Sequence, residues 1–222
     1  MKKFELTDEF ITINSSKKLY RIRALVSFAD VKAGELGGYV EKERNLSVYG
    51  DAWVYGNARV YGDARVYGDA KVFGNAWVYS DAKVFGNARV SGNARVFGNA
   101  RVYGDARVYG DARVSGDARV YGNAQVYGNA RVFDNAQVYS DDDILQITGL
   151  GTVHRTTTVF RTTDGIRIAC GCFYGDLDAF REQVKNTREG KVQREYLAFA
   201  DLIEIYFGVD DEDESPRVSI DG

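Results

Sequence analysis

The 222-residue chain has a formal net charge of −3 and is long enough to bury a substantial core in one large domain or two small ones. A charge so near balance gives no overall drive toward nucleic acid or a membrane surface, and no apolar stretch is long enough to span a bilayer. The distribution is uneven: counting Lys and Arg against Asp and Glu, residues 1–47 carry +2, residues 48–139 carry +3 and residues 140–222 carry −8.

The opening residues Met1-Lys2-Lys3-Phe4-Glu5-Leu6 lack the apolar run of a signal peptide, so a cytoplasmic protein is expected. Strand-like alternation follows at residues 10–13 and 19–25, with a turn expected at Gly37-Gly38. Residues 1–47 read as a cap for what comes next.

From Val48 to Val138 a valine recurs every six residues, sixteen times in all. The unit is Val-aromatic-Gly-Asp/Asn-Ala-Arg, as in Val60-Tyr61-Gly62-Asp63-Ala64-Arg65, and Asp134 stands in place of the usual glycine late in the run. Alternation puts Ala64 and Val66 on one face and Arg65 and Tyr67 on the other. The Gly-Asp/Asn pair suits a corner of positive φ. Such a strand-plus-corner never closes locally, so it must coil, three units to a turn, into a mainly β, parallel β-helix. About five coils are expected, each stacked roughly 4.8 Å from the next, around an interior of valine and alanine. Asp141-Asp142-Asp143 breaks the pattern where alanine should sit, and the solenoid is expected to occupy residues 48–143.

Beyond it, residues 156–161 and 166–172 read as two strands joined by the hairpin signal Asp164-Gly165. Asp176 can cap a helix with Leu177, Phe180 and Val184 on one face, and a second helix at about 192–207 aligns Tyr196, Phe199, Ala200 and Ile203. Residues 144–208 therefore read as a small α+β module of ββαα type. Residues 209–222, with Asp210-Asp211-Glu212-Asp213-Glu214, read as an acidic disordered tail. Cys170 and Cys172, two apart in a strand, are poorly placed for a disulfide and read as small buried hydrophobes.

The candidate binding surface is the solenoid's exterior. Tyr or Phe follows fourteen of the sixteen valines, with Ser91 and Ser115 the exceptions, and a basic residue precedes eleven of them. Arg65, Arg101, Arg119, Arg89, Arg107, Arg95 and Arg113, with Tyr67, Tyr103 and Tyr121, are the residues expected to meet a partner. Interleaved arginines and rings suit an acidic protein or, less well, single-stranded nucleic acid. The competing reading is mechanical: the ladders stiffen the coil while corner aspartates neutralise the arginines, and an even spread over three faces favours it. A flat aromatic face would also support a homo-oligomer, dimer or trimer. No metal is expected, because the sixteen corners split into eight Asp and eight Asn where calcium needs a fixed set of charged oxygens. No cofactor is expected either, since the chain has no Gly-rich phosphate loop and no nucleophile elbow.

Two flanking blocks carry a resemblance. Asp30-Val31-Lys32-Ala33-Gly34-Glu35-Leu36-Gly37-Gly38-Tyr39-Val40-Glu41-Lys42-Glu43-Arg44-Asn45-Leu46-Ser47, leading into Trp53-Val54-Tyr55, resembles uncharacterised phage and prophage hexapeptide-repeat proteins. Phe160-Arg161-Thr162-Thr163-Asp164-Gly165-Ile166-Arg167, with Cys170-Gly171-Cys172-Phe173, is similar to the module that often accompanies them. The resemblance implies a left-handed coil, although the usual preference of parallel crossovers would give the other hand. It also implies a role in an infected bacterium, such as binding and blocking a host factor or defence component. Hexapeptide coils are shared with acyltransferases, which use a histidine as general base; here that role could fall only to His154, beyond the array. A phage structural component is the third reading.

Overall fold

The computed structural model describes residues 2–208, and the acidic segment 209–222 lies outside the described residues. A β-solenoid forms the body. Fifteen two-residue strands, β4 (Trp53–Val54) through β18 (Gln137–Val138), line up as three parallel sheets in which each strand pairs with the one eighteen residues away. Arg65 N–H donates to Ala82 O at 2.9 Å and Tyr67 N–H to Val84 O at 3.1 Å, and the same pair of bonds recurs from coil to coil. Every valine from Val54 to Val138 is at most 1% exposed, as is every repeat alanine from Ala52 to Ala136. Side chains no larger than valine fill the interior at these positions.

The corners need left-handed backbone. At Gly68, φ is +68° and a Cβ would lie 3.0 Å from the Gly86 nitrogen on the next coil, so conformation and close approach both call for glycine. Ser80 and Asp134 nevertheless adopt the same conformation, at φ +60° and +61°. Asn and Asp are mixed in the next position for a reason the sequence does not display. Asn87 Nδ2 donates to Asp105 Oδ1 at 2.9 Å, and Asn93 to Asp111 and Asn99 to Asp117, each at 3.0 Å. An all-Asp column would instead stack like charges one strand spacing apart.

The coil begins earlier than the valine period shows. Val48 is 41% exposed and outside the core. The interior positions of the first coil belong to Val40, paired with Val60, and to Leu46, bridged to Val66, each twenty residues away rather than eighteen. Two extra residues before Val54 swell that corner and push Val48 out. At the other end Ile144, six residues after Val138, is only 7% exposed and joins the same core. The solenoid therefore makes about six turns.

Gly37 and Gly38 are not a turn. They lie buried in β3 (Leu36–Val40), where a Cβ on Gly37 would sit 2.6 Å from both Ile22 and the Val54 carbonyl, and one on Gly38 2.6 Å from the Ala58 carbonyl. The glycines let β3 pass close to the first full coil. β1 (Phe4–Ile13) and β2 (Lys17–Ala24) form an antiparallel hairpin that pairs on β3 and extends one solenoid sheet. Phe4 and Trp53, both fully buried, close the bore edge to face with centroids 6.3 Å apart.

The C-terminal module has four strands rather than two: β19 (Ile144–Leu150), β20 (Arg155–Thr162), β21 (Gly165–Cys170) and β22 (Phe173–Gly175) form an antiparallel sheet in that order. α1 (Leu177–Thr187) and α2 (Gly190–Phe207) bury Leu177, Phe180, Val184, Tyr196, Phe199, Ala200 and Ile203 against it. Asp176 caps α1 through a 2.9 Å bond from Ala179 N–H. Phe160 of β20, fully buried, plugs the far end of the bore. Among the described residues, no helix is long and apolar enough to cross a membrane.

Candidate functional site

Parallel register distributes the candidate residues over the three faces. Arg65, Lys83, Arg101, Arg119 and Gln137 are successive partners on the first sheet. Arg89 and Arg107 lie on the second, between Lys71 and Gln125. Arg95 and Arg113 lie on the third, between Trp77 and Arg131.

The faces are not equivalent, which corrects the even spread inferred from the repeat. Beside the first cation column runs an unbroken ring column. Tyr67, Phe85, Tyr103 and Tyr121 stack with centroids 4.8, 4.8 and 5.0 Å apart, and Tyr139 closes the column edge to face at 5.2 Å. On the third face Trp77 interrupts the cations, held between the Arg59 guanidinium at 4.8 Å and that of Arg95 at 5.2 Å. The rings there stack from Tyr61 through Tyr79 to Phe97, and the next position is Ser115. On the second face the ring column is broken at Ser91.

Electrostatics on the first face separate the readings further. Burial in the stack raises the Tyr67 phenol, partly opposed by Arg101 and Arg65, and burial with Tyr121 raises Tyr103 against Arg119 and Arg101. The guanidiniums thus lie close enough to the rings to be felt. Corner aspartates do not neutralise them: among the described residues none of Arg65, Lys83, Arg101 or Arg119 has a carboxylate within ion-pair distance. Asp63 is taken by Lys42 at 3.2 Å and by Arg44. A groove of about 670 Å³ is lined by Asp63, Asp81, Asn99 and Asp117 of the corners together with Arg44, Arg65, Lys83 and Arg101.

His154 sits in an exposed turn at φ +46°, with Nδ1 3.1 Å from the Gly149 carbonyl. It borders a trough of about 590 Å³ with Arg113, Arg131, Arg155 and Cys172. Cys172 is exposed and Cys170 half-buried, and both are free, so the expectation of two buried thiols is wrong. Gly171, at φ +60°, ends the strand and breaks the alternation that would have turned both inward. The sequence reading also missed a cleft of about 850 Å³ between the module's sheet and the α1–α2 junction, bordered by Cys170, Tyr196, Arg155 and Arg188. No local motif marks that cleft, because it is assembled from segments forty residues apart. Among the described residues, no three His, Cys, Asp or Glu side chains cluster in a way that could hold a metal ion.

Comparison with curated proteins yields no match. A family profile described as the YdcK beta solenoid repeat matches residues 52–80 and 82–140 in successive overlapping stretches, so over the solenoid, about two-fifths of its length, the chain is similar to that repeat.

Proposed function

We propose that the solenoid is a non-catalytic scaffold that binds a protein partner through its first face. The observation that carries this reading is the pairing, on that face alone, of an unbroken four-cation column with an unbroken ring column. Stacked cations with no carboxylate at ion-pair distance repel one another, and acidic side chains spaced along a partner would relieve that repulsion. The adjacent rings would supply the apolar contact area that anchors such interfaces. The corner carboxylates beside the cations favour a protein, which can present basic side chains to them among its acidic ones, over a nucleic acid, whose continuous phosphate backbone they would repel.

The resemblance of the flanking blocks to phage and prophage proteins supports a partner in an infected bacterium, a host factor or defence component that the solenoid would block. The open ring columns also suit assembly as a dimer or trimer. The test is capture from host lysate with and without nuclease, comparing the native chain with the triple variant Arg65→Ala, Arg101→Ala, Arg119→Ala. A nuclease-insensitive protein should be retained by the native chain and lost at least tenfold by the variant, with the circular dichroism spectrum unchanged. Equal retention by both would refute the assignment to this face.

A further inference from the structure

The second face holds a defect with the dimensions of a ligand. Phe73, Ser91 and Tyr109 follow Val72, Val90 and Val108, which are successive partners in the parallel register. Serine at the middle position leaves no ring between two ring-bearing positions about 10 Å apart along the stack, two inter-strand steps. Where rings stack face to face along the columns, neighbours lie 4.8–5.4 Å apart. A planar group inserted at Ser91 would therefore sit at the ladder's own stacking distance from both walls.

Three observations say that the gap is open and what it would accept. A pocket of about 220 Å³ occupies it, lined by Phe73, Arg89, Ser91, Arg107, Tyr109 and Gln125. Phe73 is 37% exposed and has no ring neighbour among the described residues, whereas Tyr109 is backed by Tyr127 at 5.4 Å. Arg89 and Arg107 form no ion pair among the described residues, and no carboxylate lines the pocket, unlike the groove on the first face. The other defect, at Ser115, differs: its wall Phe133 packs instead on Tyr174 at 4.6 Å and on Phe160 at 5.7 Å.

We propose that the Ser91 gap is a nucleotide site, in which the base completes the ring column between Phe73 and Tyr109 while Arg89 and Arg107 hold the phosphate. The pairing of a ring-sized slot with two unpaired guanidiniums matches a base carrying a phosphate better than either part alone. The volume admits one base. The site is independent of the protein-binding reading, because it lies on another sheet and uses other side chains.

Calorimetric titration of the full chain with AMP tests it. Saturable one-to-one binding is expected, with adenosine and inorganic phosphate each at least tenfold weaker. Ser91→Phe fills the missing rung and should weaken AMP roughly tenfold or more, the scale of one base–ring stack, while the unfolding temperature stays the same or rises. Ser115→Phe should leave AMP binding unchanged. Phe73→Ala, which removes a wall without adding bulk, should also weaken it and guards against misfolding in the filled variant. Absence of saturable binding at millimolar AMP, unchanged binding by Ser91→Phe, or inorganic phosphate competing as well as AMP would each overturn the proposal.

Discussion

The two ends of the solenoid face opposite chemical problems, and the flanking segments differ accordingly. Along the coil the residues flanking each valine donate their N–H groups to carbonyls on the following turn, as Arg65 does to Ala82 and Tyr67 to Val84, while alanines such as Ala76 close the corner locally on Phe73. The first turn is therefore left with carbonyls that need donors, and the last with N–H groups that need acceptors. At the N-terminal end the buried Lys3 ammonium donates to the Gly50 and Ala52 carbonyls at 2.9 and 2.8 Å. Asn45, fully buried, donates its amide to Gly62 O at 3.1 Å and Ala64 O at 2.8 Å. At the C-terminal end the partners are acceptors: Asp141 takes the Gln125 N–H at 2.8 Å, Thr158 Oγ1 that of Arg131 at 3.2 Å, and Asp143 that of Tyr139 at 2.9 Å. A stack of parallel coils has a direction, and its caps must match that direction in charge and hydrogen-bonding sense.

Reversing the hydrogen-bonding sense at one end should have the largest effect. Asn45→Asp changes little in shape but replaces the amide donor with a carboxylate facing two carbonyls in a buried site. The expected loss is about 3–5 kcal/mol, the range for an uncompensated buried charge. Protonation restores a donor, so the deficit measured by denaturant titration should be smaller at pH 4 than at pH 7. Equal deficits at both pH values would mean that the loss is steric.

That polarity was only half legible in the sequence. The strict valine period disclosed the coil, its three-fold repeat and its interior, because a six-residue period leaves a narrow core no alternative. It could not disclose that Val48 keeps the period and leaves the core while Val40 and Leu46 break it and stay. Position inside depends on a two-residue swelling of one corner, which only three-dimensional register shows. Asp141-Asp142-Asp143 read as an interruption, although Asp141 and Asp143 serve the ladder whose pattern they break. The arginine and ring columns were legible residue by residue. Their inequality was legible too, in Ser91, Ser115 and Trp77, but its meaning required knowing which residues stack at a separation of eighteen.

A smaller effect is expected from Lys3 at the N-terminal end. Burial lowers the Lys3 ammonium from 10.5 to about 8, against the pull of Asp51 and Asp69. With the folded value below the unfolded one, the unfolded chain binds more protons between about pH 8 and 10.5, so stability should rise with pH through that window. The neutral amine keeps two N–H donors for its two carbonyls. Lys3→Met should remove the upward slope and cost about 1–3 kcal/mol at pH 7 for the carbonyls it strands. Thermal unfolding of both chains from pH 7 to 10.5 reads both effects, and a slope that survives in Lys3→Met would place its origin in another group.

The smallest effect belongs at the opposite end, where the capping group is half-buried and water can take its place. Asp143 accepts from Tyr139 N–H at 2.9 Å and Ser140 N–H at 3.1 Å, while its other oxygen meets Arg161 at 3.2 Å. Asp143→Ala should cost about 1 kcal/mol, as loss of a capping side chain does. Asp143→Asn, which keeps an acceptor oxygen, should cost less. Because the lost bonds serve the last turn alone, amide exchange should quicken at Tyr139 and Ser140 and stay unchanged at Tyr55 and Arg59. Lys3→Met should produce the opposite distribution. Faster exchange along the whole coil in either variant would show that the ends are not capped independently, and that the ladder transmits the loss of one cap to the other.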